Sequence, residues 1–230
     1  MLLVCKKNAH RICTELGEDP TKWSRHCPLP QPNWFREEVD RFAYAARAAA
    51  ARNISDARTI LRGIRDAELR HWYIVHGQNS GRSRVGYSAK PRPVAALTDP
   101  LRSPKRHEAT VLARDGYKCR YCGVRVIPTS VLRAFRHAVG NESFPMGAGN
   151  ANKHGVMLAF CSVVDHVVDW SSGGRTYPSN LVTACWSCNY GKFCYSLEQL
   201  GIDDPRDRPP SPSPDWDGLT SLEQQLLAQA

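Results

Sequence analysis

The sequence has no apolar run long enough to cross a bilayer. Its longest candidate, Val156–Val164, falls far short of the roughly 20 residues a spanning helix needs, so no membrane partner is expected. It is also short of acid: 22 Asp and Glu face 31 Lys and Arg, a formal net charge of +9. It has no order of residues resembling a secretory leader, because Lys6 and Lys7 follow the short apolar start instead of preceding an apolar core. Secretion is therefore not expected, and a cytoplasmic, reducing setting is. There, paired cysteines point to metal and not to disulfides. The chain shows no internal repeat, which excludes a repeat architecture, and no identifiable base-reading helix, which leaves target specificity open.

What is present fits one medium domain or two small ones in 230 residues. Hydrophobic residues make up 42%, enough for a core, while 16 Pro, 16 Gly and a mean hydropathy of -0.45 imply long connections. The positive charge is concentrated. From Arg82 to Arg136 thirteen Lys and Arg face three acids, so this stretch carries the whole net charge. Such a stripe suits a polyanion, whose condensed counterions each basic contact releases; the alternative is a solubility surface.

Along the chain, residues 1–32 read as an irregular segment ending in a Pro-rich stretch. Residues 33–77 read as a helical hairpin: Phe35, Val39, Phe42, Ala46 and Ala50 recur at helical steps. A second helix over about 56–76, with Ile60, Ile64, Ala67 and Ile74 on one face, follows the short link Asn53–Ser55. Residues 78–104 form a basic, Gly/Ser/Arg/Pro-rich flexible linker. Residues 105–201 form the domain that carries the motifs below, with an insertion at 128–155 whose first part, Val131–Gly140, is helical. Residues 156–168 read as β-rich. Residues 202–230 are a Pro-rich tail ending in a short amphipathic helix.

Nine cysteines are present, and four of them form two CxxC pairs, Cys119/Cys122 and Cys185/Cys188. Each spacing puts two thiolates on one side of a tight turn, ready to share a tetrahedral ion, and Gly123 suits the turn after the first pair. A structural Zn²⁺ held by four cysteines follows. With all four positions filled by thiolates it has no open site for chemistry, and its work is to staple the segment between the pairs. Cys5, His10, Cys13, His26 and Cys27 could form a second metal group, but their spacings match no common zinc pattern. Cys161 and Cys194 read as buried small hydrophobes.

Between the pairs lies Asp165-His166, then a Ser172-Gly173-Gly174 turn, then Asn180-Leu181; Asn189 follows Cys188 directly and Lys192 comes shortly after. Over about 117–195 this order (CxxC, DH, GG, NL, CxxCN, K) resembles the HNH endonuclease superfamily, in its zinc-bearing branch. The 128–155 insertion is a departure, and so is Asp169 where relatives often carry Pro. The motif's third residue is Asn189, where relatives often carry His. The resemblance implies an α+β fold: a ββα-metal (His-Me finger) module stapled by the four-cysteine zinc site and preceded by the N-terminal helical hairpin.

It also implies roles that the chemistry supports. His166 is the general base, because a neutral imidazole accepts a proton from water near pH 7. Asp165 supplies a hard anionic oxygen to a divalent ion, Mg²⁺ or Mn²⁺, and Asn189 a carbonyl oxygen as second ligand. Asn180 orients the loop after the histidine through side-chain-to-backbone bonds. Lys192 and Arg175 are candidates for holding phosphate. The expected activity is metal-dependent hydrolysis of phosphodiester bonds in DNA, with double-stranded DNA the expected partner and the hairpin offering a surface for a protein partner. The competing reading is a non-catalytic, zinc-stabilised nucleic-acid-binding module.

Overall fold

The computed structural model describes residues 24–29, 31–74 and 102–229. The expected irregular segment 1–32 and basic linker 78–104 lie mostly outside these residues, as do Cys5, His10 and Cys13. The described part is an α+β fold with a two-stranded antiparallel sheet.

Helix α1, Phe35–Ala50, forms where the sequence periodicity places it. It buries Phe35, Val39, Phe42, Ala46 and Ala49 on one face, with Glu37 and Glu38 in the first turn and Arg47 in the last, as the helix dipole favours. The expected second helix is instead two: α2, Ile54–Arg62, and α3, Asp66–Trp72. The break at 63–65 has two causes. Gly63 is a poor helix former, and the fully buried Glu38 carboxylate accepts the Arg65 backbone N–H at 3.0 Å while lying 3.6 Å from the Arg65 guanidinium.

Helix α4, Glu108–Arg114, precedes the first CxxC turn. The insertion supplies α5, Thr129–Val139, which stops at Gly140 with φ +89°. Its Phe135 ring meets Phe42 of α1 at 4.7 Å between centroids and Phe144 at 5.3 Å, so the insertion is part of the core. The reading of 156–168 as β-rich needs correction in its first half: Gly155–Phe160 is helix α6. The Met-Leu-Ala stretch is helix-forming, and the His154 ring caps it by accepting the Val156 N–H at 3.2 Å through Nδ1. Gly155 is required by packing, since a Cβ there would lie 2.6 Å from the Leu69 Cβ of α3.

Strand β1, Ser162–His166, pairs antiparallel with β2, Leu181–Cys185, in a register that sets Asp165 opposite Val182 and His166 opposite Leu181. Helix α7, Trp186–Lys192, begins at once after β2. Helix α8, Leu197–Leu200, carries a Ser196/Gln199 capping box, and α9, Glu223–Leu227, closes the chain. The tail packs down: Trp216 donates its indole N–H to the Tyr117 carbonyl at 3.1 Å, and Arg125 bridges Asp40 at 3.0 Å and Asp215 at 2.8 Å. One hydrophobic cluster runs from Cys27 through α1, the insertion, the cysteine turn and the sheet to Leu226. Among the described residues no helix is long and apolar enough to cross a membrane.

His154 provides a test of the packing. Burial against Phe144 pushes its imidazole down to about 4, although Asp66 opposes the shift. The folded state therefore refuses a proton that the unfolded state accepts near 6.5, so stability is present above pH 6.5 and lost as pH falls toward 4. The full loss from this group is about 3 kcal/mol. Replacing His154 with Asn keeps a helix-capping acceptor and removes the titration. Urea midpoints measured from pH 7 to pH 4 should fall less steeply for this variant than for the parent.

Candidate active site and metal centre

The four motif cysteines converge. Their Sγ atoms all lie within 4.8 Å of one another, and all four residues are buried. Local structure explains the convergence. Cys119 and Cys122 flank a tight turn in which the Cys119 N–H donates to the Val124 carbonyl and Gly123 N–H to the Cys119 carbonyl, both at 2.8 Å, with Gly123 at φ +74°. Arg120 N–H reaches the Thr183 carbonyl of β2 at 2.8 Å and docks this turn on the strand. Cys185 ends β2 and caps α7, its sulfur accepting the Cys188 N–H at 3.4 Å.

The set fits a metal ion. A tetrahedral ion with bonds of about 2.3 Å separates its sulfurs by about 3.8 Å, and Cys122 and Cys185 are 3.8 Å apart. The chemistry of the donors agrees. Burial and the neighbouring sulfurs push the Cys185 and Cys188 thiols well up, so four thiolates need a cation to coexist here. Cys27 lies against the cluster, its sulfur 3.8 Å from that of Cys188, while neighbouring His26 turns to Asp203 at 3.6 Å.

One fully buried carboxylate, Asp115, ties the surroundings together. It accepts from Arg114 at 2.9 Å, from Arg120 at 3.2 Å and from the Thr183 N–H at 2.7 Å, joining α4, the cysteine turn and β2.

A cleft of roughly 680 Å³ opens beside this centre, and Asp165, His166 and Asn189 all line it. Successive strand residues face opposite ways. Asp165 turns to Tyr121, whose hydroxyl donates to it at 2.6 Å, and to the Lys192 ammonium at 3.4 Å. His166 turns to Thr176 in the β1–β2 loop, its Nε2 3.0 Å from the hydroxyl oxygen. Burial raises the Asp165 carboxyl against the pull of Lys192 and Tyr121. Burial also lowers the His166 imidazole, although Asp165 and Asp169 oppose it, so the ring stays neutral near pH 7. Asn189, one residue past Cys188, makes no side-chain hydrogen bond to another described residue.

Asn180 holds the loop after His166. Its amide oxygen accepts the Val168 N–H at 2.9 Å, and its amide nitrogen donates to the Val168 and Arg175 carbonyls at 3.0 Å. Gly174 is part of the same clasp, because a Cβ there would fall 1.7 Å from the Val168 carbonyl oxygen.

Two expected phosphate contacts are placed elsewhere. Lys192 is fully buried and donates to the His166 carbonyl at 2.9 Å, so it has no surface to offer a phosphate and instead steadies both motif residues. Arg175 is exposed, 6.0 Å over the Tyr177 ring, and does not line the cleft. Arg102 does line it, 5.6 Å over the Trp170 ring. The charge count had pointed to its region but not to its position. Asp169, Tyr190 and Phe193 also line the cleft beside their motif neighbours, while Tyr121 and Thr176, which no motif spacing marks, reach Asp165 and His166 through tertiary packing.

Residues 159–192 match the family model of the HNH endonucleases. No curated protein and no solved structure matches the chain.

Lys192→Met distinguishes a buried brace from a phosphate contact. It leaves Asp165 without its cationic partner and His166 without a carbonyl bond, and should lower unfolding free energy by about 3–5 kcal/mol in urea titrations. A surface phosphate ligand would leave stability unchanged.

Proposed function

We propose that this protein is a metal-dependent endonuclease hydrolysing phosphodiester bonds in DNA, a reading supported by the match of residues 159–192 to the family model of the HNH endonucleases. The observation that carries this reading is the single cleft bordered by Asp165, His166 and Asn189, set against four clustered cysteines. In this reading β1, β2 and α7 are the ββα-metal module. Cys119, Cys122, Cys185 and Cys188 hold a structural Zn²⁺, and Asp165 and Asn189 hold a catalytic Mg²⁺ or Mn²⁺. The hard carboxylate and amide oxygens suit that ion, and the soft sulfurs suit zinc. A divalent ion at Asp165 and Asn189 would neutralise charge on the scissile phosphate and ease departure of the 3′ oxygen.

The protein's own groups do the rest. With Nε2 donating its proton to the Thr176 hydroxyl, the His166 lone pair sits on Nδ1 and takes a proton from the attacking water. The lowered imidazole keeps that lone pair available at neutral pH. Lys192 offsets the charge of Asp165 and fixes the His166 backbone. Asn180 keeps the following loop, and with it Thr176, in place. Arg102, which lines the cleft, offers a cation to the phosphate chain.

Two outcomes test the reading. His166→Ala should lower the rate of plasmid cleavage in Mg²⁺ or Mn²⁺ by roughly 100- to 10,000-fold while DNA binding survives; equal rates would remove His166 as the base, and binding without cleavage by the parent under every metal would favour the non-catalytic module. Cys122→Ser should release zinc, read by metal analysis, and abolish cleavage that added Mg²⁺ does not restore. Asn189 follows the ligand Cys188 and loses its position with the cluster.

A further inference from the structure

The cleft holds more than hydrolysis needs. Three aromatic rings, Trp170, Tyr190 and Phe193, line it together with the motif residues. Tyr190 is 40% and Phe193 50% exposed, so neither ring is there to fill the core.

Both are held ready. Tyr190 stacks on Trp186 with centroids 5.2 Å apart and planes 20° off parallel. Behind them the Trp186 indole N–H donates to the Tyr73 hydroxyl at 2.9 Å, and the Tyr73 ring meets Tyr190 edge-on at 6.3 Å. Phe193 ends α7 with φ +53°, a conformation glycine adopts freely and a phenylalanine only under strain. An exposed ring on a strained backbone contributes little to folding, and its position at the cleft gives it a use. In the same cleft Arg102 lies over Trp170.

Aromatic faces beside a cation and a phosphodiester site match one ligand chemistry: a nucleotide strand whose bases are unstacked. A closed duplex keeps its base faces inside the helix and offers phosphates and base edges, which these rings do not recognise. An unpaired base offers a π-face that any ring can take, whatever the sequence. We propose that Tyr190 and Phe193 form a stacking platform for an unpaired base beside the scissile phosphate, so that the preferred substrate is DNA that is single-stranded or opened at the cleavage position. This rests on the nuclease reading for the placement of the phosphate. It narrows the expectation of a double-stranded partner to one opened at the cut.

The test measures binding, not cleavage, in the full-length, zinc-loaded His166→Ala protein, so it is read separately from the nuclease activity. A short single-stranded oligonucleotide carrying 2-aminopurine reports stacking through fluorescence quenching, and the same sequence as a perfect duplex is the comparison. Phe193→Gly removes the ring at a backbone position glycine accepts, so its melting temperature should not fall. Its affinity for the single strand should drop by about 5- to 100-fold with loss of quenching, and Tyr190→Leu should act in the same direction. The duplex should lose less. Unchanged single-strand affinity in both variants, or equal losses on single strand and duplex, would overturn the platform. Absence of cleavage by the parent under any metal would instead count against the nuclease reading and leave the stacking result standing on its own data.

Discussion

Four cysteine sulfurs within 4.8 Å of one another are the constraint on which the rest of the site depends. They join a turn at 119–122 to the end of β2 and the first turn of α7, bringing together two segments separated by 62 residues of chain, 123–184. Because Cys185 ends the strand and Cys188 lies in the first turn of the helix, the cluster sets where α7 starts. Asn189 is carried with it. Because β2 is paired to β1 in a single register, the same cluster sets the depth of Asp165 and His166 relative to that helix. Leu29 packs over Gly191, and Cys27 over Cys188, so the cluster is also sealed from the N-terminal side.

Around this centre the chain buries charges that it must then satisfy. Asp115 and Lys192 are fully enclosed, and Asp165 nearly so. A buried ion pair adds little net stability, since desolvation consumes most of the attraction, but breaking one leaves an uncompensated charge and is costly. Such pairs therefore make wrong arrangements expensive. Asp115 penalises any misdocking of the cysteine turn on β2, and Lys192 penalises any separation of α7 from β1. Asn180 does the same for the β1–β2 loop with neutral hydrogen bonds. Lys192 thus holds both Asp165 and His166, while Asn189 is positioned by the backbone that follows Cys188.

Much of this was legible in the sequence. The two CxxC pairs, the Asp165-His166 step and the Asn189 position are local patterns whose chemistry follows from residue type and spacing. The helix α1 was written in its apolar period. The break between α2 and α3 was not, because the buried Glu38 that takes the Arg65 N–H belongs to another helix. The helix before β1 is hard to read for a related reason: a run of buried apolar residues has no period to separate helix from strand, and Leu69, which packs close to Gly155 at its start, belongs to a distant segment.

What the sequence by itself determined is the chemical inventory: thiolates for a metal, a carboxylate, an imidazole and an amide in order along the chain, and an excess of positive charge for a polyanion. Tertiary structure alone decided how that inventory is divided. It turned Lys192 from a surface cation into a buried brace, brought Tyr121 to Asp165 and Thr176 to His166, and set Arg102 and three aromatic rings around the cleft. The physical reason is that burial and proximity depend on the packing of distant segments. A lysine's residue type says that it carries charge; only the packing around it says whether that charge meets solvent.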